Sequence, residues 1–451
     1  MSQQNRVSRR RFLETTAAGA AAAALAPSLT FAARREPLRF AQIGCGGKGE
    51  SDRDEMLKAG AKLIALCDVD ENNAKKVFMK HADLPKYKDF RQMLDKHEKE
   101  IDAVVVSTPD HVHAAAALEA MRRGKHVYVQ KPLARTYAEC QAMLDLSRKQ
   151  GVVTQMGNQG HGGGGLRLWE EMGKAGGFGD ILEIHTWSDR PIWAQGMTEA
   201  PKEGKVPETL DWNAWLGPAA DRPYSKAYVP FSWRGWWDFG CGAMGDMACH
   251  NMDPAFWTFK LGLPTSIKAQ ASAPAGIAYP NWSIIEYQFG PTPLLPKGVK
   301  LTWHDGKKLP PPPPGADPNL KIGDNGCLVV GTKMSAMGGS HAGTPRVVAV
   351  GDKFDGDALK EAQKHWSEVK VSGVNHYGQW VHAAETRDRE ATKSNFDYAA
   401  PFTQGILLGC ISLRFPGQEL HWDNGKKQFS NFADANSWLS FKPREGYNLN
   451  A

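Results

Sequence analysis

The sequence predicts an α/β fold with a Rossmann-type, doubly wound parallel sheet in its N-terminal part. A C-terminal α+β domain with an open, mostly antiparallel sheet is expected to follow. Between Leu38 and Gly157, short apolar runs alternate with helical patterns, which is typical of a parallel sheet with helices on both faces. Beyond Gly157 the pattern changes to strand-like runs at 266–273, 282–289, 299–304 and 327–332, with helices near 166–174, 378–386 and 403–413.

A glycine-rich turn after the first apolar run is the strongest motif in the chain. Gly44, Gly46 and Gly49 fit the G-x-G-x-x-G spacing, and a polar helical run follows them. In a dinucleotide site these glycines permit the tight turn, the approach of a pyrophosphate and close packing of helix on strand. The helix N-terminus then presents free N–H groups to the phosphates. The predicted cofactor-binding loop comprises Gly44, Cys45, Gly46, Gly47, Lys48 and Gly49.

An acidic residue at the end of the second strand indicates which dinucleotide binds. Asp68 follows Gly49 by about 20 residues, where a ribose-binding carboxylate is expected. Such a carboxylate accepts the ribose hydroxyls and repels a 2′-phosphate. Val69 and Asp70 add no compensating cation, so the sequence predicts NAD and not NADP. Three glycines alone are also compatible with a surface turn, but the strand, turn, helix, strand and acid in order favour a cofactor site.

A lysine–proline pair ends another strand of the predicted sheet. Lys131 follows the apolar run that begins at His126, and Pro132 stops the strand after it. Because ligands bind at the carboxyl ends of parallel strands, Lys131 and Ser107 should face the same crevice as Gly44. A lysine there can share a proton with a substrate hydroxyl, although a solvated surface lysine is the alternative.

A second polar pair occurs far along the chain. Asp246 and His250 are four residues apart, so they share one face of a predicted helix, and Asp253 is expected to continue that face. His250 can accept a hydroxyl proton near neutral pH, and Asp246 can orient the ring or support the imidazolium. The pattern also fits a buried structural histidine beside a helix-capping aspartate.

Together these motifs resemble the Gfo/Idh/MocA oxidoreductase family, from about Arg39 to the C-terminus. The resemblance implies that Lys131, Asp246 and His250 serve the sugar or polyol carbon that is oxidised. The family usually has Glu-Lys-Pro where this chain has Gln130-Lys131-Pro132. The residues predicted to complete the cofactor site are Ser107, Thr108, Pro109, His113, Gln130, Lys131 and Asn158.

The segment 189–239 is rich in Trp, Pro and Gly and has little periodicity. Aromatic faces stack on the C–H faces of sugar rings, and an arginine can bind hydroxyls. The alternative is that these tryptophans form the core of a long insertion. The predicted substrate-binding residues are His161, Arg190, Trp193, Trp236 and His250, and Gln159–Gly165 is expected to be a flexible loop.

The N-terminal segment resembles a twin-arginine export signal rather than part of the fold. Ser8-Arg9-Arg10-Arg11 precedes an alanine-rich run, which is too short to span a membrane well. A chance basic N-terminus or an uncleaved anchor is the alternative. The predicted organisation is a signal over 1–33, an NAD-binding domain over 34–157 and a substrate domain over 158–451. A periplasmic or otherwise exported protein that uses the twin-arginine machinery, without stable membrane insertion, is expected.

Composition excludes several classes of protein. The 451 residues carry a formal charge of only +6 with no basic stripe, so no nucleic-acid partner is predicted. The seven cysteines have no C-x-x-C spacing, and no His pair has metal-ligand spacing, so neither a metal nor a disulfide framework is expected. Buried, reduced thiols are expected instead. The open sheet face favours a homo-oligomer.

These features predict an NAD-dependent oxidoreductase that moves a hydride between nicotinamide and a carbinol carbon of a carbohydrate or polyol. His250 is expected to take the hydroxyl proton, assisted by Lys131 and Asp246. A redox-neutral glycosidase, which oxidises the sugar transiently, eliminates the aglycone and returns the hydride, is the main alternative. A dinucleotide-dependent sensor and a purely structural exported protein remain further hypotheses. The sequence leaves open the sugar, the carbon oxidised and the oligomeric state.

Overall fold

The computed structural model describes residues 36–272, 276–351, 360, 364 and 374–451. The predicted export signal, residues 1–33, lies outside the described residues. Residues Pro37–Ala451 form one compact unit that contains two β-sheets.

The first sheet has six parallel strands in the order β3-β2-β1-β4-β5-β6, the order of a Rossmann fold. Its strands are β1 (Arg39–Ile43), β2 (Lys62–Cys67), β3 (Lys86–Tyr87), β4 (Ala103–Val106), β5 (His126–Val129) and β6 (Thr154–Met156). The helices of this part are α1 (Lys48–Lys58), α2 (Glu71–Lys80), α3 (Phe90–His97), α4 (Asp110–Arg122) and α5 (Tyr137–Gln150). The predicted doubly wound parallel sheet is confirmed.

Local capping explains where helix α5 begins and ends. The Thr136 hydroxyl accepts the Glu139 N–H, and the Glu139 carboxylate accepts the Thr136 N–H, which together form a capping box. Gly151 ends the helix in the left-handed conformation, at φ 63°. These signals lie in the sequence itself, which predicts a helix from about Thr136 to Lys149, one residue from the observed bounds at each end.

The second sheet has nine strands in the order β13-β12-β11-β7-β10-β9-β8-β14-β15. Only the β7–β10 pair is parallel among the described pairs, so the predicted mostly antiparallel sheet is confirmed. Along β9, Ile285 and Tyr287 are fully buried whereas Gln288 is exposed, as expected for a sheet with one covered face. The strands are β7 (Ile181–Ser188), β8 (Ser266–Ala271), β9 (Ser283–Phe289), β10 (Val299–His304), β11 (Asn325–Gly331), β12 (Met334–Gly338), β13 (Arg346–Val350), β14 (Glu419–Asp423) and β15 (Gln428–Phe429).

The later helices connect the two sheets. They are α6 (Gly164–Lys174), α7 (Trp212–Leu216), α8 (Gly242–Asn251), α9 (Asp253–Phe259), α10 (His376–Thr386) and α11 (Phe396–Ser412), with short 3-10 helices at Gln159–Gly162, Ser232–Gly235 and Ala433–Trp438. Trp380 and Val381 of α10 are buried in one cluster with Phe40 and Leu66 of the first sheet. Helix α10 therefore covers a face of the first sheet, although the predicted boundary at 157/158 assigns it to the second domain.

The sequence pattern missed the strands β12, β13, β14 and β15. β12 reads Met-Ser-Ala-Met-Gly, which has no β-branched residue, and β15 is only two residues long. Helix α11 begins at Phe396, seven residues earlier than predicted. Pro401 lies inside it, where a proline removes a backbone hydrogen bond and weakens the helix signal.

Candidate active site

The glycine turn lies between β1 and α1, where side chains would collide with backbone. Gly44 has φ +84°, and a Cβ on it would lie 2.5 Å from the Ser107 carbonyl oxygen. A Cβ on Gly49 would lie 2.1 Å from the Gly44 carbonyl oxygen, so helix α1 packs directly on the turn. At Gly46 the space is filled by Asn73 of α2, 2.4 Å from the position of the absent Cβ. The turn and helix-packing roles predicted for the outer glycines agree with this geometry.

Asp68 lies at the end of β2, at the edge of the same turn. Its carboxylate accepts the N–H groups of Cys45 at 2.7 Å, Gly46 at 3.3 Å and Asp70 at 3.0 Å. Burial raises the pKa of Asp68, and these backbone N–H groups offset part of that increase. Asp68 therefore stabilises the glycine turn, in addition to the ribose contact predicted for it.

A cavity of about 530 Å³ opens at the carboxyl ends of the first sheet's strands and extends to α8. It is lined by many residues predicted as functional: Gly44, Gly46, Gly47, Lys48, Asp68, Ser107, Thr108, Pro109, Gln130, Lys131, Arg190, Trp193, Asp246 and His250. Most of the residues predicted as functional therefore line one cavity, although they come from segments more than a hundred residues apart. Cys45, Gly49, His113, Asn158, His161 and Trp236 are not among the residues that line it.

Lys131 and Asp246 form an ion pair across the cavity. The Lys131 Nζ donates to Asp246 Oδ1 at 2.7 Å and to the Asp246 carbonyl oxygen at 2.8 Å. Arg234 Nε lies 3.5 Å from the same carboxylate oxygen. Burial alone would raise the pKa of Asp246, but the charges of Lys131 and Arg234 outweigh it and the pKa is lowered. Lys131 is therefore held as a hydrogen-bond donor with its charge balanced.

His250 lies one turn after Asp246 on α8, as predicted, but no hydrogen bond joins the two side chains. The His250 side chain makes no hydrogen bond to a described residue, and its Nδ1 is buried. Burial, and then the Lys131 charge, lower the pKa of His250 well below its usual range. The expectation that Asp246 orients this ring is wrong for this structure, because the carboxylate is directed to Lys131.

Asp253 does not continue the face of α8. The helix ends at Asn251, and Asp253 begins α9 with Pro254 in its first turn. The Asp253 carboxylate contacts His161 Nδ1 at 3.0 Å and accepts Asn158 Nδ2 at 3.2 Å. Asn158 and His161 therefore belong to a buried polar cluster, and their predicted roles at cofactor and substrate are not supported by the positions of their side chains.

His113 is buried behind the cavity wall. Its Nδ1 lies 2.8 Å from the Pro132 carbonyl oxygen and its Nε2 lies 2.9 Å from the Thr108 carbonyl oxygen. Burial lowers the pKa of His113 to about 4, so the neutral ring donates to one carbonyl at a time. His113 thus positions the two loops that carry Thr108 and Lys131 instead of touching a cofactor. Cys45 is likewise buried and contributes its backbone N–H.

The tryptophans of 189–239 differ in position: some line the cavity, where they can contact substrate, and others are packed in a core. Trp193 lines the cavity, and its indole N–H donates to Gln195. Trp236 lies in a buried cluster with Trp215 and Phe239, so its assignment to substrate binding is replaced by a packing role.

Arg234, which sequence reasoning missed, lines the cavity among aromatic rings. Its guanidinium lies 4.2 Å from the Trp233 ring centre and 4.8 Å from that of Phe231. Its position inside a tryptophan-rich stretch was the sequence signal that could have indicated a binding role for this arginine.

Asp110 and His341 were also missed. Asp110 begins α4, accepts the Cys241 N–H at 3.1 Å and lines the cavity. Burial raises the pKa of Asp110 to about 7, although the Arg234 and Lys131 charges oppose this. His341 lies on the loop between β12 and β13, and its ring stacks on His250 with 3.9 Å between centres. No local motif marks either residue.

The glycine run after β6 has a packing function. The structure forms a 3-10 helix at Gln159–Gly162, where a flexible loop was predicted. A Cβ on Gly160 would lie 2.0 Å from the His341 carbonyl oxygen, and one on Gly165 would lie 2.1 Å from the Ala342 carbonyl oxygen. The glycines therefore allow the loop that carries His341 to lie directly against this segment.

Metal ligands, thiols and long apolar helices are the remaining features of the described part of the chain. No group of three or more His, Cys, Asp or Glu side chains there is arranged to hold a metal ion. All seven cysteines are buried free thiols, as expected from their scattered spacing. No helix among these residues combines the length and apolar character that a membrane crossing requires.

The cavity combines a glycine turn and a strand-end acid with a lysine and a histidine. This combination is typical of one class of protein, the dinucleotide-binding oxidoreductases. Residues 38–158 match the NAD-binding Rossmann fold of the GFO_IDH_MocA oxidoreductase family, and residues 182–293 match its C-terminal alpha/beta domain. The chain belongs to the Gfo/Idh/MocA family, as the motifs suggested, and NAD is the cofactor of its first domain.

Individual relatives are distant. The glycosyl hydrolase family 109 protein 1 of Shewanella sp. (strain MR-4) is 31% identical over 166 residues, which cover 34% of this chain and 35% of that protein. The inositol 2-dehydrogenase of Salmonella agona is 26% identical over 145 residues, covering 32% and 43%. The chain thus spans less than half the length of these relatives. The WlbA dehydrogenase of Bordetella pertussis, solved with NADH and UDP-GlcNAcA, shares the fold with a TM-score of 0.60 and 17% identity, covering 86% of this chain and 99% of that one.

Proposed function

We propose that this protein is an NAD-dependent oxidoreductase that transfers a hydride between nicotinamide and a carbinol carbon of a sugar, glycoside or polyol. One observation carries the proposal: the cavity that contains the glycine turn and Asp68 also contains Lys131, Asp246 and His250. Cofactor recognition and proton-transfer groups therefore face the same space.

The cofactor end of the cavity suits NAD. Gly44, Gly46, Gly47 and Lys48 line this end of the cavity at the N-terminus of α1, whose positive dipole end suits phosphate groups, and Asp68 presents a carboxylate at the end of β2. Ser107, Thr108 and Pro109 line the cavity at the end of β4. When bound, NAD⁺ supplies the hydride acceptor, which no side chain of this chain provides.

The substrate end suits a hydroxylated ring. Trp193 and Trp233 present aromatic faces, and Arg190 and Arg234 present guanidinium groups to the same cavity. Aromatic faces pack against apolar C–H faces, while the guanidinium groups donate hydrogen bonds to hydroxyl oxygens. Two relatives or neighbours support this substrate class: one is an inositol 2-dehydrogenase, and another was solved with UDP-GlcNAcA.

Proton transfer is assigned to the side chains at the end of α8. Because Lys131 is paired with Asp246, it acts as a charged donor that orients the reacting hydroxyl. The stacked pair His250 and His341 provides neutral imidazoles beside it. A neutral imidazole within reach of a hydroxyl can accept its proton as the hydride leaves.

A redox-neutral glycosidase is the second candidate, and one observation favours it: a relative carries the name glycosyl hydrolase family 109 protein 1. In that reaction the sugar is oxidised transiently, the aglycone is eliminated, and the hydride returns to the sugar. The same cavity and the same residues would serve both reactions, so net NADH release separates them.

Mass spectrometry of the purified protein for bound NAD(H), followed by a panel of myo-inositol, D-glucose and 4-nitrophenyl glycosides, tests the proposal. Net NADH formation identifies a dehydrogenase, whereas release of 4-nitrophenol without net NADH identifies the glycosidase. Lys131→Ala should keep NAD binding and lower turnover by ~10²–10⁴-fold. A protein that binds NAD, and turns over no panel member in any form, would be a sensor and would contradict the proposal.

We also propose that the protein is exported by the twin-arginine machinery to the periplasm or beyond, and that it forms a homo-oligomer. Ser8-Arg9-Arg10-Arg11 and the alanine-rich run after it support export. One face of β9 carries the half-buried Ile284 and Glu286 and the exposed Gln288, which supports self-association through the second sheet. Cell fractionation and light scattering measure these two properties separately.

A further inference from the structure

The loop between β12 and β13 brings a second histidine into the cavity. His341 lines the cavity, and its ring stacks on His250 at 3.9 Å with 28° between the ring planes. His341 has φ +58° and the next residue, Ala342, has φ +52°. Non-glycine residues adopt this left-handed conformation at an energetic cost, which surrounding contacts must offset. The close approach of Gly160 to the His341 backbone is one such contact.

A chain of three hydrogen bonds determines which nitrogen of His341 carries the proton. Asn251 Nδ2 donates to the Trp187 carbonyl oxygen at 2.7 Å, which orients the amide and leaves its Oδ1 as an acceptor. The Ser340 hydroxyl donates its only proton to that Oδ1 at 3.0 Å. Ser340 Oγ must then accept from its other neighbour, so His341 Nδ1, at 2.8 Å, is the donor.

The consequence concerns the opposite side of the ring. In a neutral imidazole only one nitrogen bears hydrogen, so Nε2 of His341 holds a lone pair. No described residue supplies a hydrogen bond to that nitrogen. Partial burial, and then the Lys131 charge, lower the pKa of His341, which favours the neutral ring. His341 is therefore held in the tautomer that a general base requires.

His250 has the opposite arrangement. Its Nδ1 is buried, with no partner among the described residues. A buried N–H without an acceptor is less tolerable than a buried lone pair without a donor. The neutral ring is therefore expected to carry its hydrogen on Nε2, which can then donate a hydrogen bond to a ligand but cannot accept a proton.

We propose that His341, held by Ser340 and Asn251, is the general base that accepts the substrate hydroxyl proton, with His250 as a hydrogen-bond donor beside it. This assignment rests on the proposed oxidoreductase function. The O–H bond breaks and its proton moves to His341 Nε2, while its electron pair forms the second bond of the new carbonyl. The C–H bond breaks with its electron pair, and that hydride would pass to NAD⁺ held in the same cavity. The resulting imidazolium releases its proton to solvent, to which the His341 side chain is exposed.

Kinetics of matched variants test the assignment. His341→Gln should lower kcat/KM for oxidation by ~10²–10⁴-fold, with NAD⁺ affinity unchanged, and should abolish the rise of kcat/KM with pH. Ser340→Ala should lower kcat/KM by about tenfold, because one hydrogen bond to the ring is lost. His382→Gln, an exposed histidine on α10, is the control and should match the wild type. If His341→Gln stays within threefold of the wild type and keeps the pH dependence, the assignment is overturned.

A readout independent of turnover uses two-bond ¹H–¹⁵N spectra of the histidine-labelled protein. The wild type should show His341, assigned by loss of its signals in His341→Gln, in the Nδ1–H form, and Ser340→Ala should shift it toward Nε2–H. A wild-type Nε2–H form overturns the hydrogen-bond argument. If the wild type turns over no member of the panel, the proposed function and the base assignment fail together. Turnover that survives His341→Gln overturns the assignment alone.

Discussion

Replacing Gln130 by the glutamate that the family usually carries should destabilise this protein. The Gln130 amide is almost fully buried, and its Nε2 donates to both carboxylate oxygens of Asp52, at 3.0 and 2.9 Å. Asp52 has no exposed side-chain surface and also pairs with Lys48 at 2.8 Å. Gln130→Glu removes the donor and places a second carboxylate against the first. The departure from Glu-Lys-Pro is thus explained by Asp52.

The expected loss has two parts. A hydrogen bond to a charged group contributes about 1.5–3 kcal/mol, and Gln130→Glu removes it. Two adjacent buried carboxylates also retain a proton to higher pH. Each unit by which folding raises the pKa of the introduced carboxyl group costs about 1.4 kcal/mol of stability at a pH above that raised pKa. Because the folded state binds that proton more tightly, the penalty is absent below about pH 4 and grows as pH rises toward the folded pKa.

Urea unfolding of wild type and Gln130→Glu between pH 4 and 8 measures this difference. Gln141→Glu is the matched control, since Gln141 Nε2 also donates to an aspartate, Asp145, at 2.9 Å but at an exposed site. The free energy of unfolding of Gln141→Glu is expected to differ from that of the wild type by about 0.5 kcal/mol or less. Asp52→Asn combined with Gln130→Glu exchanges amide and carboxylate and should recover much of the loss. If the free energy of unfolding of Gln130→Glu equals that of the wild type at pH 8, the charge argument is refuted.

Three further outcomes are expected. NAD should bind more tightly than NADP by about 1 kcal/mol or more, and Asp68→Asn should reduce this difference in binding free energy. Parallel titrations of the two cofactors measure it, and tighter NADP binding to the wild type would contradict the assignment of Asp68. Gly160→Ala should lose about 1–3 kcal/mol of stability and most turnover, because its Cβ would lie 2.0 Å from a backbone oxygen. Gly262→Ala is the control, since a Cβ there would have no atom within 4 Å, and it should change neither stability nor turnover in the same unfolding and activity assays. Replacing Arg9 and Arg10 by lysine should retain the protein in the cytoplasm, and its normal appearance in the periplasmic fraction would refute the export signal.

The parts of the fold and site that the sequence predicted depend on short-range signals. The glycine turn, Asp68 and Lys131 each follow an apolar run directly, and a parallel sheet brings such strand ends together whatever the remaining sequence. Asp246 and His250 share a helix face because of their spacing alone. These residues therefore reached one cavity as predicted.

The partners of these residues required the three-dimensional arrangement. Asp246 pairs with Lys131 across 115 positions of sequence, and nothing local distinguishes that partner from His250. His161 was expected near substrate, but it contacts the buried Asp253, and the glycine run around it accommodates the backbone of His341. Spacing indicates which side chains share an element, whereas hydrogen-bond partners depend on distances between elements.

One buried carboxylate links helix α1 after the glycine turn, the strand end that carries Lys131, and the later part of the chain. Asp52 of α1 accepts the Ser107 hydroxyl at 2.7 Å, the Gln130 amide, and the Tyr377 hydroxyl of α10 at 2.8 Å. Gln130 adjoins Lys131, whose charge is balanced by Asp246 on α8. A shift of Asp52 would therefore move the end of β4 and the backbone that carries Lys131 at the same time. Because both flank the cavity to which we assign the proposed hydride and proton transfers, we expect alignment of the two transfers to depend on this carboxylate, although it takes part in neither.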